Sequence, residues 1–220
     1  MNRTRVKICG ITRAEDALEA VAAGADAVGM VFWAGSKRAM DAEKARPIAQ
    51  IIPPSVGIVG VFVDASVEFV LETVDKTGIT AAQLCGDLRP GDWTKIPHTL
   101  RIVRALSISG SVVPDTELKM NGVNDYLLDN GSQSSRGGTG ETFDWDLADR
   151  FRSWGRIWLA GGLNPDNVGD AISRVRPHAV DVSSGVELTP GIKSPEQIRR
   201  FIDAVHHADH AIAKAEKHAH

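Results

Sequence analysis

Four residues stand out as able to move a proton or attack an electrophile: Lys7 and Cys9 in Val6-Lys7-Ile8-Cys9-Gly10, Asp129 at the end of Asp125-Tyr126-Leu127-Leu128-Asp129, and Asp181 in Ala179-Val180-Asp181-Val182. Side chains alternate along a strand, so Lys7 and Cys9 share one side of theirs. A nearby ammonium favours a thiolate, the form of cysteine that acts as a base or nucleophile. Asp181 could pair with Lys7 if the last strand closes on the first. The plain alternative for Cys9 is a small buried apolar side chain. A carboxyl at a strand end among apolar neighbours can have its pKa raised, as a general acid near neutral pH requires. The plain alternative for Asp129 is a solvated loop carboxylate.

Two further segments suit an anion. Ala160-Gly161-Gly162-Leu163-Asn164-Pro165 and Val182-Ser183-Ser184-Gly185-Val186-Glu187 each follow an apolar run. Glycine lets backbone N–H groups approach an anion closely, a helix N-terminus adds partial positive charge, and serine hydroxyls add donors. Gly161, Gly162, Ser183, Ser184 and Gly185 could therefore hold a phosphate without a lysine or arginine in either loop. Turn chemistry alone would also account for these residue types. A long loop opens after Asp129 and contains Gly137, Gly138, Thr139 and Gly140, whose glycines make it a candidate lid.

These residues need a scaffold that brings them to one place. Short β-rich runs alternate with amphipathic segments along the whole chain, the pattern of βαβ units around a parallel sheet. Eight strands are expected over 6–9, 27–32, 57–62, 81–84, 100–105, 126–129, 157–160 and 179–182. Helices are expected over 14–23, 42–51, 67–77, 146–154, 165–175 and 195–207, while the connections after strands four and five look short. Thr12, Asp41 and Ser194 are the expected helix caps. No GxGxxG opens the first unit, so eight such units read as a single-domain (β/α)8 TIM barrel more naturally than as a doubly wound sheet. In such a barrel the carboxyl ends of the strands form the site, and the loops after strands seven and eight commonly hold phosphate. The barrel is expected over 1–208, with 209–220 an Ala-rich helical extension that frays.

Composition sets limits on function. The 220 residues are 43% hydrophobic and 24% charged, which allows a full core. A net charge of −3 offers no basic field for nucleic acid or an anionic membrane surface. No run is long enough to span a membrane, no signal-peptide pattern opens the chain, and two cysteines suit a reducing compartment, so the cytoplasm is expected. His206 and His210 stand at i,i+4 in the tail, but spacing provides no third ligand, and no metal is expected.

Taken together, Lys7-Ile8-Cys9-Gly10-Ile11-Thr12, Gly137-Gly138-Thr139-Gly140 through Phe143-Asp144-Trp145, Leu159-Ala160-Gly161-Gly162-Leu163 and Asp181-Val182-Ser183-Ser184-Gly185-Val186-Glu187 resemble the phosphoribosylanthranilate isomerases in order and spacing. The resemblance implies an Amadori rearrangement of a phosphoribosyl small-molecule substrate with Cys9 as general base and Asp129 as general acid. It implies no cofactor and leaves monomer or homodimer open. It also implies that Arg38, after strand two, holds the anthranilate end, since a guanidinium fork suits a carboxylate. Cys85 stands where the family usually carries a histidine that contacts substrate, and Lys37 where a proline is usual. A thiol is smaller than imidazole and a weaker hydrogen-bond partner, so these departures bear on affinity more than on reaction type. The related isomerase of histidine biosynthesis normally has an aspartate at the position of Cys9. A catalytically silent phosphosugar-binding barrel is the rival from outside the enzymes.

Overall fold

Eight parallel strands close into a barrel in chain order, β8 returning to pair with β1. They are β1 (Arg5–Cys9), β2 (Ala27–Val31), β3 (Gly57–Val63), β4 (Ala81–Cys85), β5 (Arg101–Ile108), β6 (Asp125–Asn130), β7 (Arg156–Leu159) and β8 (Ala179–Val182). The expected strands all appear with ends shifted by up to three residues. The computed structural model describes residues 3–86, 92–108, 119, 122–130 and 145–218. Gly137, Gly138, Thr139 and Gly140, the expected lid, lie outside the described residues.

Alternation within each strand builds two cores. One phase points into the barrel, where Val103, Leu127, Trp158, Ala160 and Ala179 form one cluster and Cys9, Val31 and Val61 form another with Trp33 and Cys85 against it. The other phase, including Ile8, Met30, Phe62, Tyr126 and Val180, faces the helices and forms the larger core. Near-continuous burial of β-branched and aliphatic side chains is what a parallel sheet covered by helices demands.

The helices are α1 (Ala14–Ala23), α2 (Ala42–Ile51), α3 (Val67–Thr77), α4 (Val168–Val175) and α5 (Pro195–His218). Asp41 caps α2 by accepting from Lys44 N at 2.8 Å, and Ser194 Oγ accepts from Gln197 N at 3.2 Å at the start of α5. Thr12 does not cap α1. Its hydroxyl donates to Gly191 O at 2.5 Å, because a small hairpin of β9 (Glu187–Thr189) and β10 (Ile192–Lys193) folds back over β1. The helix expected over 165–175 begins only at Val168. Asn164 Oδ1 accepts from the backbone of Asp166 and Asn167 at 2.8 and 3.2 Å and holds the preceding residues in a turn. The helix expected over 146–154 is a 3-10 helix, Trp145–Phe151.

The largest difference is at the C-terminus. The extension placed at 209–220 continues α5 to His218 and is packed, not frayed, over its first turns. Ala208 and Ile212 extend the buried stripe of Ile198, Ile202 and Val205. Asp209 accepts from Thr4 N at 2.8 Å and from Thr4 Oγ1 at 2.7 Å, and Arg176 pairs with Glu216 at 2.7 Å. Among the described residues no helix is long and apolar enough to cross a membrane.

Candidate active site

The carboxyl ends of β1, β4 and β8 converge on one buried ammonium. Lys7 is 1% exposed, and its Nζ donates to Gln83 Oε1 and to Asp181 Oδ1, each at 2.9 Å. Lys7 and Asp181 are direct partners in the β1–β8 ladder, so the register of barrel closure sets this pair. Burial opposes the charged form of Lys7, but the Asp181 carboxylate and Cys9 outweigh it and hold the pKa above its ordinary value. The pairing expected from sequence is present. Gln83 is its third member, and alternation on β4 pointed to it only by placing it inside the barrel.

Cys9 lies two residues further along β1, 8% exposed. Burial pushes its thiol up, and the Asp181 charge pushes the same way. The charges of Lys7 and Lys193 and a hydrogen bond from Lys7 oppose them without cancelling them. A cation does stand beside this thiol as expected, but burial is the larger effect. Gly29 lies opposite Cys9 on β2, where a Cβ would stand 2.9 Å from Cys9 Sγ and 3.0 Å from Lys7 Cε. Glycine therefore leaves room for both side chains.

Arg38 sits on the turn after β2, its N–H donating to Ser36 Oγ at 3.0 Å. Its Nε and Nη2 donate to Glu187 at 2.8 and 2.6 Å, and Lys193 Nζ donates to the same carboxylate at 2.8 Å. Lys193 is 1% exposed and also donates to the carbonyls of Cys9 at 2.5 Å and Ser183 at 3.1 Å. One ammonium thus ties the end of β1 to the loop after β8. Gly10 makes the crossing of these segments possible. With φ +76°, it would bring a Cβ to 2.4 Å from Arg38 Cδ and 2.9 Å from Ser183 Oγ. Burial alone would raise the Glu187 carboxyl, but the hydrogen bonds and charges of Arg38 and Lys193 hold it below its ordinary value. Neither Glu187 nor Lys193 is marked by strand or helix periodicity. Glu187 was visible only inside the eighth-strand motif, and Lys193 not at all.

The two glycine and serine loops lie side by side after β7 and β8. Gly161 and Gly162 take φ of 80° and 71°, and Asn167 Nδ2 donates to Gly162 O at 3.0 Å. Ser184–Val186 forms a 3-10 turn, and a Cβ on Gly185 would meet Leu163 O at 2.0 Å, so glycine permits the close approach of the two loops. Asp129 is exposed at the end of β6, beside Ser107 in the ladder, and close enough to Cys85 for its charge to act there. Cys85 ends β4 with its Sγ 3.6 Å from Gln83 Nε2, and burial pushes its thiol up to about 11. Cys9, Asp129, Lys7, Asp181, Arg38, Cys85 and both loops thus gather at the carboxyl ends of the strands.

Chemistry carried at the carboxyl ends of a closed parallel barrel marks the (β/α)8-barrel enzymes, and that is the class this fold and site define. The family model for N-(5'-phosphoribosyl)anthranilate (PRA) isomerase matches residues 6–204, and the chain belongs to this family. An N-(5'-phosphoribosyl)anthranilate isomerase of Geobacter sp. (strain M21) is 48% identical over 203 residues, covering 90% of this chain and 96% of that protein. The Pseudomonas aeruginosa (strain PAO1) isomerase is 45% identical over 206 residues, covering 93% and 96%. Among solved structures, the Thermotoga maritima phosphoribosyl anthranilate isomerase superposes with a TM-score of 0.85 at 43% identity, covering 93% of this chain and 99% of that one. A phosphoribosyl anthranilate isomerase in complex with reduced 1-(o-carboxyphenylamino)-1-deoxyribulose 5-phosphate gives a TM-score of 0.81 at 42% identity over the same shares.

Proposed function

We propose that this enzyme performs the Amadori rearrangement of N-(5-phosphoribosyl)anthranilate to 1-(2-carboxyphenylamino)-1-deoxyribulose 5-phosphate in tryptophan biosynthesis, by general acid–base catalysis. The observation that carries the reading is Cys9 at the barrel mouth beside the buried Lys7–Asp181 pair. Asp129 protonates the ring oxygen as its bond to sugar carbon one breaks, which leaves a protonated Schiff base. The cationic nitrogen draws electrons from carbon two and acidifies its proton. The Cys9 thiolate removes that proton, and the enolamine tautomerises to the aminoketose. Gly161, Gly162, Ser183, Ser184 and Gly185 hold the phosphate through backbone and hydroxyl donors. Arg38 holds the anthranilate carboxylate, and Cys85 contacts the substrate from β4.

The choice of Cys9 over aspartate at the end of β1 favours this substrate over that of the histidine-pathway isomerase. The fit of two free thiols to a reducing compartment supports a cytoplasmic enzyme. A relative from Thermotoga maritima is described as dimeric, and light scattering would decide between monomer and homodimer here. The decisive assay follows the loss of phosphoribosylanthranilate fluorescence with the next enzyme of the pathway coupled in excess. Turnover supports the reading. Saturable binding without turnover would instead make the chain a phosphosugar-binding barrel.

A further inference from the structure

Arg38 is an unusual carboxylate holder because a carboxylate of its own protein already occupies it. Its side chain is 14% exposed and that of Glu187 is 4% exposed, so this is a shielded pair with ideal side-on geometry. A guanidinium has five N–H donors in one plane and can meet two carboxylates at once, one along its Nε/Nη2 edge and one along its Nη1/Nη2 edge. Glu187 takes the first edge. Nη1 has no partner among the described residues, so the second edge keeps its donors.

The charges around Arg38 point the same way. Arg38 and Lys193 carry two positive charges against the single negative charge of Glu187. With the Cys9 thiol protonated, as its raised pKa favours, the corner is one charge positive, and one further carboxylate would neutralise it. A lone buried arginine would be free to rotate its fork through several rotamers. One clamped along an edge presents the other edge in a fixed plane, which lowers the ordering cost of binding.

We propose that Glu187, braced by Lys193, is a positioning residue that sets substrate specificity: it clamps one edge of Arg38 and so turns the other toward the aromatic carboxylate of the substrate. This rests on the assignment of that carboxylate to Arg38. On this reading Glu187 acts on the binding of the substrate carboxylate through Arg38.

The test is a double-mutant cycle of Glu187→Gln and Arg38→Met in steady-state turnover, with melting temperature and inhibition by inorganic phosphate measured on the same preparations. Arg38→Met should raise KM strongly. Glu187→Gln should raise KM about tenfold with kcat within about twofold and phosphate inhibition unchanged, because uniform binding is lost and chemistry is not. In the Arg38→Met background Glu187→Gln should add nothing to KM. Additive effects, or a loss confined to kcat, would overturn the proposal. An unchanged KM in Arg38→Met would instead overturn the assignment of the carboxylate to Arg38, a result distinct from a flat Glu187→Gln. Should Glu187→Gln fail to fold, Glu187→Asp keeps the charge beside Lys193 while drawing it back from Arg38. The same KM-only, non-additive pattern supports the proposal, and additivity overturns it.

Discussion

At the scale of single residues, the thiol and the carboxyl carry separate predictions. Cys9→Ser should fold and bind phosphate normally but turn over at least about a hundredfold more slowly, because a hydroxyl is a far poorer base near neutral pH. Near-normal turnover would return Cys9 to packing. Asp129→Asn should lose turnover with little change in product-analogue affinity, since the amide keeps the size and loses the proton; intact turnover would remove Asp129 from the chemistry. The pH profile follows from the burial of Cys9. In the proposed mechanism the reaction needs a thiolate at Cys9 and a carboxylic acid at Asp129 together. Above the thiol's own titration the thiolate fraction stops growing while the acid form keeps falling, so kcat/KM declines there. Because burial raises that titration, the alkaline limb should lie above the ordinary thiol value of 9.0. A limb well below it would show that Lys7 and Lys193 outweigh burial in solution. Lys7, Cys9 and Asp181 were legible because each sits on a barrel strand, where alternation and strand order fix direction, whereas Arg38 lies on the turn after β2 and was legible only through the family resemblance. Glu187 and Lys193 were not, because they lie on a short hairpin whose path is set by contacts with Thr12 and the backbone of Cys9.

At the scale of elements, strand phase was the strongest signal and helix ends the weakest. Strands in a parallel barrel are buried on both faces, so their apolar runs, interrupted by buried polar side chains such as Lys7, Gln83 and Asp181, are hard to misplace. Helix ends depend on local competition for backbone groups. The Asn164 side chain accepts from the Asp166 and Asn167 N–H groups and so caps a turn ahead of α4, while at α1 Arg13, not Thr12, stands at the cap position and the Thr12 hydroxyl donates to Gly191 O. The tail of α5 misled for another reason, since its Ala-rich composition hid two buried positions in register with the rest of the helix. Asp209 makes this testable. Thr4 is 4% exposed, so Asp209→Ala leaves both its N–H and its hydroxyl without a buried acceptor, at a cost of about 1–3 kcal/mol. Urea unfolding should show that loss with kcat unchanged. A variant as stable as the parent would mean that the Asp209–Thr4 contact contributes nothing to the docking of α5.

At the scale of the whole molecule, acid should weaken the barrel through the Glu187 carboxylate. Glu187 titrates below its ordinary 4.5, so its contribution to stability is complete above that value and is lost as pH falls through the lower, folded-state titration. Melting temperature should drop in that window, and Glu187→Gln should flatten the drop; an equal drop in both would place the acid sensitivity elsewhere. A closed parallel barrel has no edge strand, and its seam joins the two ends of the chain: Lys7 meets Asp181 across 174 residues of sequence. That separation has a consequence during synthesis. At about 5–20 residues per second, roughly ten to thirty seconds pass between the emergence of the lysine and that of its aspartate. Throughout that interval the ammonium cannot be buried without leaving an unpaired charge in an apolar interior, which is strongly disfavoured. The nascent first strand is thus kept hydrated at its centre until the eighth arrives, so the ribosome completes nearly the whole chain before the ring can shut.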